Sequence, residues 1–214
     1  QGRIARAAAA AGRDPLSVAL LAVSKTHPAT LVQQALGAGQ RAFGENYVQE
    51  AAEKMDALAR LGIEWRLEWH LIGPLQSNKT RAAAERFDWV HTVENEKIAR
   101  RLSGQRSGKL PPLNVLIQVN VSGEASKSGV APAEVIPLAL AISKLPRLKL
   151  RGLMAIPEPS QDAGEQRLRF RPMKVLFEEL TKALPGIDTL SMGMSDDMEA
   201  AIAEGATMVR VGTA

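Results

Sequence analysis

The sequence predicts an α/β fold, a single (β/α)8 TIM barrel, from three observations. Short apolar or β-branched runs alternate with longer stretches of helical period along the chain. Repeated strand–helix–strand order implies parallel strands joined by crossovers, and eight such runs favour closure over an open sheet. The 214 residues fall somewhat below the ~250 typical of that barrel. An open doubly wound sheet is the alternative architecture.

The elements follow in order. Gln1 already lies inside a helical pattern, and the first strand is read at Ala19–Val23. The second, at 42–43, is the shortest and stops at Gly44. Strands three to eight are read at 68–72, Trp89–Val93, 115–121, 148–155, 189–192 and Met208–Val211. Between them, Val48, Ala51, Ala52, Met55 and Leu58 recur at helical spacing, as do Met173, Leu176, Phe177, Leu180 and Leu184. Ser195-Asp196-Asp197 reads as a helix start, and Gly37, Gly39, Gly62 and Gly205 sit where helices should stop. No linker, low-complexity tract or repeat interrupts residues 1–214, so one domain is expected. It reads as trimmed at both ends, since it also stops at Ala214 just after an apolar strand.

Composition narrows the function. The chain has no cysteine, which excludes disulfides, thiolate metal sites and a cysteine nucleophile, and suits a reducing, cytoplasmic setting. Its net charge of +4 comes from 27 basic and 23 acidic residues, mostly interspersed, as in Glu178-Glu179 followed by Lys182. That pattern reads as a solvated surface rather than a nucleic-acid groove. Aromatic residues are 4% of the chain, too few for a base-stacking platform. No apolar run approaches the ~18 residues of a membrane span, and the alanines at 7–11 are too short a run for a signal peptide.

In a barrel of this kind, chemistry belongs at the carboxyl ends of the strands. Those ends are polar and glycine-rich here: Ser24-Lys25-Thr26-His27, Gly44-Glu45-Asn46-Tyr47, SMGMSDD at 191–197 and RVGTA at 210–214. Lys25 ends an apolar strand. A desolvating interior would free its amine for a Schiff base, whereas the plain alternative is a lysine reaching from the mouth to water. The two glycine–serine clusters follow the last two strands, the usual phosphate site of such barrels; ordinary turn chemistry and a helix cap are the alternative. A Schiff-base lysine facing a phosphate cradle fits pyridoxal 5′-phosphate. Arg210 would then sit beside the ring and, as a donor only, keep the pyridine nitrogen unprotonated; an ion pair at the barrel mouth is the alternative. His27, His70 and His91 lie near three different strand ends with no close pairing, so no metal site is expected. His70 reads as a hydrogen-bonded core residue and His27 as a loop residue.

Seven segments, AVSKTHP, FGENYVQE, WHLIGPLQSNK, SKSG, LRGLMAI, LSMGMSDDMEAAI and VRVGT, together resemble the YggS/PROSC family of pyridoxal phosphate homeostasis proteins. The resemblance runs from AGRDP at 11–15 to the last residues. It implies a barrel of the alanine racemase N-terminal type, usually monomeric, with pyridoxal phosphate held as an internal aldimine on Lys25. By the same similarity Arg210 faces the pyridine nitrogen, Ser195, Gly212 and Thr213 hold the phosphate, and Asn46 and Met192 line the pocket. Lys127, in SKSG, would belong to a loop involved in cofactor exchange. Two features depart from the family. His27 stands where many members keep a second lysine, and the stretch that follows RVGT in the family is absent here.

The resemblance implies a carrier that buffers or delivers vitamin B6, with PLP-dependent apo-enzymes as possible recipients and no catalytic residues of its own. The residues agree. A racemase needs two bases on opposite faces of the substrate, and the chain has one tyrosine, Tyr47. The rival expectations are a weak amino-acid racemase or a Schiff-base aldolase acting through Lys25.

Overall fold

Eight parallel strands close into a barrel in chain order: β1 (Ala19–Val23), β2 (Ala42–Glu45), β3 (Glu68–Leu71), β4 (Trp89–Val93), β5 (Leu113–Gln118), β6 (Leu148–Met154), β7 (Thr189–Ser191) and β8 (Met208–Val211). Each strand pairs with the next, and β8 closes on β1 with Leu21 opposite Arg210 and Ala22 opposite Val211. The computed structural model describes residues 1–63, 67–123 and 128–212. Helix α1 (Gly2–Ala10) precedes the barrel, and seven more connect its strands: α2 (Ala29–Gly37), α3 (Val48–Ala59), α4 (Thr80–Arg86), α5 (Glu96–Gln105), α6 (Val135–Ile142), α7 (Ala163–Ala183) and α8 (Met198–Ala203). Among the described residues no helix is long and apolar enough to cross a membrane.

Parallel strands covered by helices are buried on both faces, which is why they read as near-continuous apolar runs. Alternate residues then serve two different interiors. Outward-facing Phe43, Leu71, Val90, Val115 and Leu153 join the helices in the main core. Inward-facing Trp89, Leu116 and Met154 form a separate small cluster inside the barrel. The helical faces behave as their spacing predicts: Val48, Ala51, Met55 and Leu58 of α3 and Met173, Leu176 and Leu180 of α7 are buried.

Several strands are bounded differently from their sequence pattern. β2 extends to Glu45, two residues beyond the expected end, because Gly44 lies in ordinary strand pairing with His70. β5 runs from Leu113 to Gln118 instead of 115–121. After Gln118 the Val119 amide still donates to Met154 O of β6 at 2.9 Å, but on the other side the Val130 amide donates to Gln118 O at 2.9 Å and the Asn120 amide to Val130 O at 2.9 Å. Gly129 permits that approach, since a Cβ there would sit 2.7 Å from the Asn120 nitrogen.

The barrel interior carries a polar seam. Arg210 donates from Nη1 to Ser191 Oγ at 2.8 Å. With both imidazoles neutral and Glu68 ionised, the Ser191 hydroxyl donates to His91 Nδ1 at 3.2 Å. His91 then carries its proton on Nε2 and donates to His70 Nδ1 at 2.9 Å. His70 Nε2–H in turn reaches Glu68 Oε1 at 2.7 Å. This run is the one that two neutral imidazoles of defined tautomer form against Glu68, whose carboxyl is held below its usual value by the bond to His70. Burial favours the same state: it pushes His70 down and His91 well below the ordinary imidazole value.

Two outcomes are expected. With both folded values below the ordinary 6.5, the unfolded chain takes up more protons as pH falls. The contribution of these histidines is whole above pH 6.5 and is lost as pH drops below it. Urea unfolding at about pH 7.5 and about pH 5.5 should show lower stability in acid, with a smaller difference in His91→Gln. Gly152 sits at φ 151° in β6, where a Cβ would lie 1.9 Å from Thr189 O. Gly152→Ala should cost about 3 kcal/mol or more in the same assay. Gly37→Ala, at a helical site with nothing within 4 Å of the new Cβ, should gain about 0.5 kcal/mol.

Candidate functional site

A cleft of about 420 Å³ opens at the carboxyl ends of β1, β2, β3, β7 and β8. β1 delivers Lys25 to its rim, β2 delivers Asn46, and β3 delivers Ile72, Gly73 and Pro74. The glycine at 73 is required: a Cβ would sit 2.2 Å from Asn46 O, so only a bare backbone lets the β2 and β3 loops meet. Thr92 fastens the β3 loop from the next strand by donating to Gly73 O at 2.8 Å.

The far wall is built by the loops after β7 and β8. Gly193, at φ 94°, turns the chain sharply, and a side chain there would strike Ala201 Cβ at 2.5 Å. Ser195 and Asp196 follow and line the cleft. Sequence reasoning places a helix start at Ser195-Asp196-Asp197, and α8 does begin at Met198. The Asp197 carboxylate turns back, however, and accepts from the Met194 amide at 2.6 Å. Its bond braces the loop rather than capping the helix. Arg3 supports the same loop from outside, donating to Ser195 O at 2.9 Å.

Arg210 forms the floor. It is 3% exposed and donates to Ser191 O, Ser191 Oγ and Ala155 O at 2.8–2.9 Å. All three acceptors are neutral, so the ion pair that a mouth arginine suggests is replaced by a neutral cradle. Burial lowers this guanidinium to about 10, with Asp197 opposing the shift. Three of its five N–H donors are used, which leaves Nε–H and one Nη2–H without a partner among the described residues.

Lys25, Asn46, Ser195, Arg210 and Gly212 thus come together around one cleft, although they lie on four strand ends. Met192 is elsewhere. It is fully buried in the outer core, because the two-residue alternation sends Ser191 inward and its neighbour outward. Thr213 and Lys127 lie outside the described residues. Lys25 is exposed at the rim rather than desolvated, since β1 ends at Val23 and the chain turns through Lys25 and Thr26. His27 also lines the cleft. His70 is buried and hydrogen-bonded, as its sequence context suggests.

Sequence reasoning reads these strand ends as polar and overlooks Ile72 and Ile156, which with Pro74 and Met194 make an apolar rim. It also overlooks Lys54, buried behind β1 and β2. The available signal was a lysine on the apolar face of α3, three residues after Ala51 and four before Leu58. A larger groove of about 580 Å³ lies on the flank between α1, α7 and α8. No strand end reaches it, and its Arg3 and Arg167 are paired with Glu199 and Glu204. The strand-end cleft is therefore the candidate site. Among the described residues no cluster of His, Asp and Glu is placed to hold a metal ion.

Comparison with known proteins agrees with this architecture. The family model for the alanine racemase N-terminal domain matches residues 3–214. A pyridoxal phosphate homeostasis protein of Pseudomonas aeruginosa is 60% identical over 212 residues, covering 99% of this chain and 89% of that protein. One of Escherichia coli strain K12 is 58% identical over 212 residues, covering 99% and 90%. Among solved structures, PipY of Synechococcus elongatus with pyridoxal phosphate bound is 41% identical. It superposes with a TM-score of 0.83, covering 98% of both chains. On its fold and on identity along almost its whole length, the chain belongs to the pyridoxal phosphate homeostasis protein family, built on the alanine racemase N-terminal domain.

Proposed function

We propose that this protein binds pyridoxal 5′-phosphate in the strand-end cleft, with Lys25 as its covalent anchor, and serves vitamin B6 homeostasis by buffering or delivering it. The observation that carries this reading is the pairing of a primary amine, Lys25, with N–H donors of Arg210 that have no partner among the described residues, across one cleft. The bound relative PipY supports it. When bound, the cofactor supplies an aldehyde that condenses with a primary amine, forming C=N and releasing the aldehyde oxygen as water.

The chain's own residues divide the remaining work. Arg210 holds its proton to about pH 10, so it donates to a ring nitrogen without protonating it and weakens the ring as an electron sink. Ser195 offers a hydroxyl and Gly212 a backbone edge to the phosphate, a task that the resemblance also gives to Thr213. Asn46 and the apolar rim of Ile72, Pro74 and Ile156 cover the ring side and restrict water. Met192 backs the β7 loop from the core.

The same geometry disfavours strong amino-acid chemistry. Tyr47 is 61% exposed and stands at the N-cap of α3, so it supplies no second base across the cleft from Lys25. A weak racemase is the competing reading. The protein is read as a cytoplasmic monomer, with PLP-dependent apo-enzymes as the recipients of its cargo.

Incubation of the protein with pyridoxal phosphate should give a visible absorbance band, and borohydride should fix the label on Lys25. Lys25→Ala should lose both. An unchanged label in that variant would assign the anchor to another lysine. Loaded protein kept with L-alanine in deuterium oxide should leave the α-proton in place; rapid exchange would overturn the non-catalytic part of the reading.

A further inference from the structure

We propose that Lys54 is the positioning residue for Lys25: a buried ammonium behind β1 and β2 that fixes both chain neighbours of the anchor, so that its amine is presented to the cleft. The inference rests on the reading of Lys25 given above and adds the group that acts through it.

Lys54 is only 6% exposed, a state that lysine adopts almost exclusively when paired. Its ammonium has three N–H donors and each has an acceptor. Nζ donates to Ser24 O at 2.6 Å, Glu45 Oε1 at 2.7 Å and Glu50 Oε1 at 2.8 Å. Both carboxylates then reach the β1 loop a second time. Glu45 Oε1 accepts from Ser24 Oγ at 2.6 Å, and Glu50 Oε1 accepts from the Thr26 amide at 2.5 Å. Residues 24 and 26 are therefore held through three atoms by one cluster.

The residue between them is held by neither carboxylate. Lys25 Nζ has no hydrogen-bond or ion-pair partner among the described residues, and its side chain lines the cleft. The two sides follow from strand alternation: Phe43 and Glu45 face outward toward α3, as Ser24 does, while Val23 and Lys25 face the mouth. Thr26 adopts φ 65°, a left-handed conformation that a threonine keeps only when its surroundings impose it. The Glu50 bond to its amide and the turn bond from the His27 amide to Ser24 O at 3.1 Å hold it there.

Stability alone is a poor reason for this cluster. A buried ion pair commonly gives no net gain over packed apolar side chains. Here Glu45 Oε2 is also buried without a partner among the described residues, and burial pushes the Glu45 carboxyl up despite its bonds to Lys54 and Ser24. An arrangement that sacrifices stability beside a reactive amine fits a positioning role.

The test compares the parent with Glu50→Ala, Lys54→Arg and the double variant Glu45→Gln/Lys54→Met, which removes both buried charges together. Each is titrated with pyridoxal phosphate, and the visible band is measured per molecule of total cofactor bound. Glu50→Ala and the double variant should bind at least about tenfold more weakly. They should also show a smaller visible band per bound cofactor, which a purely structural defect would not produce. Lys54→Arg, which keeps the donors, should recover part of the band. Parent-like affinity and band in both Glu50→Ala and the double variant would overturn the role of Lys54. Should the double variant fail to fold, Glu50→Ala decides alone, because Glu50 is partly exposed. A parent that gives no band overturns the reading of Lys25 itself, so the two failures are distinguishable.

Discussion

Closure of β8 against β1 is the contact on which the site depends. It places Leu21 opposite Arg210 and Ala22 opposite Val211, so the first and last strand ends of the barrel become neighbours. Lys25 and Arg210 are far apart along the chain, yet they line one cleft because of this pairing. The driving force is elementary. A parallel sheet wrapped in helices cannot leave backbone donors and acceptors unpaired, and closing the ring satisfies the last edge. An open doubly wound sheet would place the first and last strands in other relations and would not form this cleft.

Closure also creates a second interior, and this protein fills much of it with polar groups. The seam from Arg210 through Ser191, His91 and His70 to Glu68 crosses the barrel toward its amino-terminal end. With both histidines neutral, as burial favours, each link has one donor and one acceptor. The consequence at the mouth is orientation. With Nη1 and Nη2 engaged by Ser191 and Ala155, the remaining N–H groups of Arg210 have no partner among the described residues. Buried polar networks are costly when incomplete and strongly orienting when complete.

The two sides of β1 are held by different means. Toward the cleft lies an exposed amine, toward α3 a buried ammonium and two carboxylates. An exposed amine on a fixed backbone suits the proposed capture and release of a cofactor. Deep enclosure would oppose release, and a loose backbone would weaken capture. The glycine at 73 and the Asp197 brace at Met194 serve the same end on the opposite walls, fixing loops whose tips are otherwise polar and short.

Much of this was legible in the residues. The alternation of apolar runs with helical spacing determined the barrel, because burial on two faces imposes that pattern. The glycine–serine clusters after the last two strands and the lysine after the first determined where chemistry should be sought. Strand ends were less legible. β5 stops at Gln118 because the chain around Val130 takes over its hydrogen bonds, a long-range competition that no local window contains. The side of each strand was not legible either. Ser191 faces the barrel and Met192 the helices, and a shift of one residue would exchange them. For the same reason only the tertiary structure decided that Arg210 rests on neutral oxygens, that His70 meets His91, and that Lys54 stands behind Lys25. Those contacts are set by register and closure, which the sequence specifies only through the folded chain as a whole.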